Sequence, residues 1–309
     1  MFNLLNSRHP KMKMAVQFVM RITIIVLLTY ELAEAAAAAA APIAKPGCNG
    51  RCGNLEIPYP FGIGHDCYMD KLFEVVCNGT GSSVKAFLTS IDKEVRQINI
   101  SNRSFYGPTV QVQMPIIYSE GCNSSGSKAP LNISGSPFNF SYYHNTFISV
   151  GCDNFATISG LGSVVFGCKS HCNKSKIEER TSCPAFNCCE SPYFPSNQQE
   201  FHVEFRSING SIVTEEHACK YAFLVDQKWL KSNRSDPSSV RYGETVPVVL
   251  EWAISKRTKN SRYMFKSLKK RPDVRCSFED EDEDFDSFIC DCAYGDRGNP
   301  YLPSGCQGK

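Results

Sequence analysis

Apolar and polar residues alternate with period two over several short stretches of the chain. "TVQVQM" sets Val110, Val112 and Met114 against polar neighbours, and "EFHVEFR" sets Phe201, Val203 and Phe205 against His202, Glu204 and Arg206. Successive strand side chains point to opposite faces, so this pattern predicts half-buried strands. "VKAFLTSI", "FNFSYY", "TFISV" and "VPVVLEWAI" are further strand candidates, rich in β-branched and aromatic residues. Gly, Asn, Ser and Pro clusters separate them. "CKYAFLVDQKWL" is ambiguous: Tyr221, Ala222, Leu224, Val225 and Trp229 fit a helix about as well as a strand. "GLGSVVFG" lacks the lysine of a phosphate loop and reads as a glycine-flanked strand. The expectation is one mainly β unit from Cys48 to Ile254.

The segment "CGNLEIPYPFGIGHDC" stands apart. Pro58 and Pro60 fix their own φ and push Ile57 and Tyr59 toward extended geometry. Gly62 and Gly64 permit a sharp turn after Phe61. The stretch reads as a short rigid strand ending in a turn, with Tyr59 and Phe61 directed to the core. A Cys52–Cys67 bond would close a loop of about 15 residues and add roughly 3 kcal/mol on the chain-entropy model.

Cysteine usage changes the picture from a β domain to an exported, crosslinked one. All 16 cysteines of the 309 residues lie at or after Cys48. Upstream, "KMKMAVQFVMR" supplies Lys11, Lys13 and Arg21, "ITIIVLLTY" an apolar stretch, and Ala35–Ala41 small residues for cleavage. Residues 1–41 therefore read as a signal peptide, with an uncleaved anchor as the alternative. Glu31 and Glu34 interrupt the apolar run short of the ~20 residues of a membrane span. An even count in an oxidising compartment implies disulfides and no metal site. The framework comprises Cys48, Cys52, Cys67, Cys77, Cys122, Cys152, Cys168, Cys172, Cys183, Cys188, Cys189, Cys219, Cys292 and Cys306, with connectivity left open. Adjacent Cys188 and Cys189 are expected to take different partners. "CKSHC" reads as structural, with His171 a bystander. N-x-[ST] sequons at Asn78, Asn99, Asn102, Asn123, Asn132, Asn139, Asn173, Asn209 and Asn233 are glycosylation candidates on solvent-facing positions.

Charge is balanced overall: beyond residue 41 there are 29 basic and 29 acidic residues. No global field draws in a polyanion. The asymmetry is local. Lys256–Arg275 holds nine basic residues and the single acid Asp273, and Glu279–Asp286 holds seven acids. Residues 255–289 read as a charged linker, with the basic run a rival polyanion site.

"CNGRCGNLEIPYPFGIGHDC" followed by "FEVVC" resembles the opening of the galacturonan-binding extracellular region of plant wall-associated receptor kinases. The resemblance continues through "FISVGCDNFATISG", "GCKSHC", "CPAFNCCE", "CKYAFLVDQKWL" and "VPVVLEWAI", covering roughly Cys48 to Ile254. "CDCAYGDRGNPYLPSGC", within residues 290–309, is similar to the last part of an epidermal-growth-factor-like module, which implies a Cys292–Cys306 bond. Earlier partners for Cys276 and Cys290 are lacking, which leaves either an incomplete module or a direct Cys276–Cys290 bond. The family continues into a membrane span and a kinase, whereas this chain stops at Lys309.

The resemblance implies a disulfide-rich cell-wall or apoplastic ectodomain, membrane-associated if the leader is retained. It implies non-catalytic binding of pectin, chiefly de-esterified homogalacturonan. Each free uronate is a carboxylate that arginine forks and lysine ammoniums match. It also implies basic binding residues toward the front of the domain. Arg51, Lys71, Lys85, Lys93, Arg96 and Arg103 fit that criterion, with Glu74, Asp92 and Glu94 among them. No cofactor is expected, and calcium would enter only through bridged pectate. Nucleic acid is not an expected partner. A decoy that pairs with full-length receptor kinases without glycan is a second reading. A carbohydrate-active enzyme is a third, though no flanking signature singles out a pair of carboxylates.

Overall fold

The computed structural model describes residues 17–26, 42–100, 107–120, 122, 130–160, 165–171, 183, 187–192, 196–208, 219–233, 240, 245–277, 286–303 and 305–308. The chain divides into residues 1–41 and a body from Pro42 to Lys309. In the first part residues 17–26 form a helix with every residue exposed. Among the described residues no helix is long and apolar enough to cross a membrane.

The body is built from short antiparallel strands. A six-stranded sheet has the spatial order Val75–Asn78, Lys85–Leu88, Lys93–Asn99, Thr109–Pro115, Thr245–Trp252, Phe138–Phe140. Two four-stranded sheets follow. One orders Cys188–Ser191, Asn145–Val150, Tyr221–Asp226, Ile117–Tyr118; the other orders Val165–Ser170, Asn154–Ser159, Glu200–Ser207, Leu131–Asn132. The alternation in Thr109–Pro115 is realised residue by residue: Val110, Val112 and Met114 are buried and their neighbours are not. In Glu200–Ser207 only Phe201 is fully buried, while Val203 and Phe205 pack at the margin of the core. Asn145–Val150 is buried at every position because it lies between two partner strands. The ambiguous "CKYAFLVDQKWL" is both things in turn, a strand over Tyr221–Asp226 and a helix over Gln227–Asn233. The Asp226 carboxylate accepts the Lys228 amide at 2.8 Å, which starts the helix where the strand ends.

The proline-rich segment differs from its expectation. It forms no strand. Phe61 N–H donates to the Pro58 carbonyl at 2.9 Å, closing a turn, and the Tyr59–Pro60 peptide is cis. Phe61 is buried among Phe73, Phe138 and Trp252, with ring centroids 5.2, 6.2 and 5.3 Å away. Tyr59 is also buried. Gly62 is required by space: a Cβ there would sit 2.2 Å from the Cys67 backbone. The loop is an aromatic plug that locks two edges of the six-stranded sheet together.

Seven disulfides join described cysteines: Cys48–Cys67, Cys52–Cys77, Cys122–Cys219, Cys168–Cys189, Cys183–Cys188, Cys276–Cys290 and Cys292–Cys306. The Cys52–Cys67 pairing is thereby corrected. Cys52 lies on a two-stranded hairpin, Arg51–Cys52 with Leu55–Glu56, and bonds to the edge strand Val75–Asn78, which leaves Cys67 to Cys48. Cys188 and Cys189 do take different partners, because neighbours on a strand face opposite ways. Cys152 is also disulfide-bonded, and Cys172 lies outside the described residues.

The span 255–289 holds more structure than a charged linker. Lys259–Leu268 is a helix whose first turn is capped by Thr258, its hydroxyl oxygen accepting from the Ser261 amide. Leu268 is buried, Met264 and Phe265 pack against the core, and the Phe265 and Phe288 rings lie 5.1 Å apart. The charges of this run conceal an apolar stripe at helical spacing. A three-stranded sheet, in the order Ile254–Ser255, Ser287–Cys292, Val274–Ser277, places Cys276 directly opposite Cys290. Of the acidic run only Asp286 is among the described residues, and it pairs with Arg257 at 3.1 Å.

The C-terminal segment is docked on the proline-rich plug. The Asn299 side chain donates to the Ile43 and Tyr59 carbonyls at 3.0 and 2.7 Å and accepts the Tyr301 amide at 3.0 Å. The Tyr301 hydroxyl accepts from the Cys290 amide at 2.9 Å, and its ring meets Trp252 at 6.0 Å. A polar seam does the same between sheets. Asn145, fully buried, donates to the Ser141 and Val249 carbonyls at 2.9 and 2.7 Å and accepts the Val249 amide at 2.8 Å.

Beside that seam, the Ser141 hydroxyl donates to Glu251 at 2.5 Å and lies 2.8 Å from His144 Nδ1. Burial first, then nearby Lys228, holds the His144 imidazole below its ordinary range, with Asp226 opposing. The unfolded imidazole takes up a proton as pH falls through about 6.5, before the folded one does. The unfolded state then binds more protons, so stability should decline as pH drops below that point. Thermal melts at neutral and mildly acidic pH check this. A His144→Gln variant should lose less on acidification than the parent, and an equal loss would refute the assignment.

Candidate functional site

The structure places the sequence-selected cations on two separate surfaces. Arg51 leaves the hairpin to pair with Glu56 at 2.6 Å. Lys85 and Arg96, on adjacent strands, both close on Glu94, at 2.8 and 3.0 Å. These last two line a groove of about 300 Å³ together with the hairpin turn Cys52–Leu55. Lys93 donates to the Asp92 carbonyl at 3.1 Å. Arg103 lies outside the described residues. On this surface the positive groups are met by carboxylates at short range, so one glutamate offsets much of the field of two bases.

Lys71 belongs to a different surface. It begins the single-turn helix Lys71–Phe73, is 79% exposed, and stands 3.8 Å from Glu74. It lines a cleft of about 540 Å³ that the proline-rich plug and the helix Lys259–Leu268 share. Lys45, His65 and Tyr68 contribute from the N-terminal side of the sequence, and Asn260, Tyr263 and Ser267 from the helix. Tyr263 is 79% exposed. Lys45 Nζ donates to the Asp66 carbonyl at 2.7 Å, which fixes it at the cleft. Arg271 also lines it but is fully engaged, with Asp273 on one edge and the Pro300 and Leu302 carbonyls on the other. Those bonds with Arg271 hold the Asp273 carboxyl below the usual carboxylate range. Burial pushes the Tyr59 hydroxyl up to about 12, so it remains a neutral group at the cleft.

A larger cleft of about 760 Å³ shares Met69 and Asp70 with the first and takes in Tyr143, Trp252 and the start of the same helix. Together they line an extended depression suited to a chain-like ligand. Ser136, Ser255, Ser261 and Ser287 line the larger cleft, while Ser141, outside both linings, is buried and hydrogen-bonded to Glu251. Among the described residues no three His, Cys, Asp or Glu side chains converge as metal ligands.

Two residues that line the smaller cleft were not among those selected from the sequence: Lys45, which precedes the first cysteine, and Tyr263, which sits within 255–289. The signal for Tyr263 was available in the spacing of Met264, Phe265 and Leu268, which makes 259–268 a helix with a packed side and a free side. The sequons Asn102, Asn123, Asn173 and Asn209 lie outside the described residues, while Asn78 and Asn132 are exposed.

Comparison with known proteins bears on both surfaces. Residues 48–107 match the family model described as wall-associated receptor kinase galacturonan-binding, and residues 180–263 match the wall-associated kinase model. The chain is 32% identical over 287 residues to wall-associated receptor kinase-like 6 of Arabidopsis thaliana, covering 84% of this chain and 44% of the relative. It is 31% identical to wall-associated receptor kinase-like 10 over 309 residues and 32% identical to wall-associated receptor kinase-like 5 over 293, both from the same plant. Each covers 84% of this chain and 38% of the relative. The chain thus spans roughly two fifths of the length of the curated relatives it matches. No solved structure matches it.

Proposed function

Given that the chain carries an extracellular region of the wall-associated receptor kinase family, we propose that it binds the galacturonan of cell-wall pectin without chemical conversion. The observation that carries this reading is the match of residues 48–107 to the galacturonan-binding model. Its chemistry is consistent with the surface. Galacturonan is a linear polymer with a carboxylate on each unesterified ring. An extended depression edged by lysine and tyrosine offers charge to the carboxylates and apolar ring faces to the sugar. Calcium, where it matters, enters as a bridge between pectate chains. Retention of the leader would hold the protein at the membrane.

The secreted protein should be retained by immobilised polygalacturonate more strongly than by highly methyl-esterified pectin. Retention should weaken as salt rises, since exposed charges are screened beyond about 8 Å at physiological ionic strength. Equal retention of the two polymers would refute recognition through carboxylates. Shortened oligogalacturonides after incubation would refute a non-catalytic role.

A further inference from the structure

We propose that the uronate seat is the 540 Å³ cleft between the proline-rich plug and the helix Lys259–Leu268, so the binding unit extends well past residues 48–107. This rests on the galacturonan reading and says where and by what the polymer is held.

The contrast between committed and uncommitted cations supports it. Arg51, Lys85 and Arg96 are each tied to a carboxylate within 3.0 Å. Along the helix and just past its end, Lys259, Lys266 and Lys270 are exposed and have no carboxylate partner among the described residues. Lys259 and Lys266 lie four and three residues from Tyr263 on the helix, beside the residues that line the cleft and not among them. Lys71, its ammonium 3.8 Å from the Glu74 carboxylate, and Lys45, which donates to the Asp66 carbonyl, reach the cleft from the other stretch of chain. Two carboxylates also line the cleft, Asp70, which accepts the Leu72 amide at 3.0 Å, and Asp66, 2.9 Å from His65; both keep their negative charge, so the lysines around the cleft must outweigh them.

Tyr263 gives the cleft its second specificity. A tyrosine with 79% of its surface free has an apolar face to lay against the C–H face of a sugar and a hydroxyl for its edge. A phosphate or sulfate site needs the cations but not the ring; a neutral glycan site needs the ring but not the cations. The combination selects a linear oligosaccharide of uronic acids. The Arg271 bonds to Asp273, Pro300 and Leu302 fix the end of the helix, so the site is held in shape before ligand arrives.

The test uses the full secreted chain and a purified oligogalacturonate, with calorimetric dissociation constants. One variant combines Lys71→Ala, Lys259→Ala and Lys266→Ala; a second is Tyr263→Ala. A third, Lys169→Ala with Arg206→Ala and Lys231→Ala, removes the same charge from exposed positions elsewhere. The triple cleft variant should bind at least about tenfold more weakly, the scale of losing one charge-assisted contact. Tyr263→Ala should lose several-fold, while the distant triple variant stays near wild type. Every substituted side chain is solvent-facing, and unchanged melting midpoints with an intact disulfide map establish folding. If wild type binds and the cleft variants bind equally well, the seat is elsewhere and the galacturonan reading stands. If the two triple variants weaken alike, binding follows net charge and the seat is likewise refuted. If wild type does not bind oligogalacturonate at all, both fall.

Discussion

Replacing Asn145 with leucine should destabilise the folded body by about 2–6 kcal/mol, the sum for two buried backbone groups left without partners. The Val249 amide and the Ser141 carbonyl each depend on the Asn145 side chain. Leucine has similar bulk but offers neither a donor nor an acceptor, so the cost is polar and not a matter of cavity volume. The seam joins the strand Asn145–Val150 of one sheet to Thr245–Trp252 of another, so damage there separates layers and does not fray an edge. Circular dichroism melts should show a midpoint lower by at least about 5 °C for a body of this size. A shift below the error of the measurement would mean that those groups find other partners.

The second large effect is expected from the Cys122–Cys219 bond, which spans 97 residues. Replacing both cysteines with alanine should cost up to about 4–5 kcal/mol on the chain-entropy model, since long closed loops restrict the unfolded chain most. The Cys168–Cys189 bond nests inside this loop and reduces the freedom gained, so the figure is an upper value. The same exchange at Cys276 and Cys290, a separation of 14, should cost about 3 kcal/mol or less. Denaturant unfolding under non-reducing conditions ranks the two. An equal or inverted ranking would show that strain or residual unfolded structure outweighs loop length.

The strands were legible because their signal is local. Val110, Val112 and Met114 announce their face through neighbours two residues away. The pairing of Cys48 with Cys67 was not, because it depends on where the hairpin Arg51–Glu56 carries Cys52 in space. The helix Lys259–Leu268 was hidden by composition: six of the residues from Lys256 to Lys269 carry positive charge, and that density outweighed the three apolar residues that pack. Around the clefts, charge selected Lys71 together with Arg51, Lys85 and Arg96, and only the fold shows which carboxylate each one meets and which of them lines the smaller cleft. Tyr263 carries no charge and belongs to a helix remote in sequence from Lys71, so charge alone gave no reason to bring the two together.

One bond from Asn299 to Ile43 ties the beginning of the folded body to its last segment. The backbone therefore enters and leaves at one spot. Tension applied between those two points would load this small polar clasp before it reached any sheet, and the crosslinked interior would bear little of it. Pulled apart at Ile43 and the C-terminal segment, the body would yield earliest at this clasp, with the β sheets still intact.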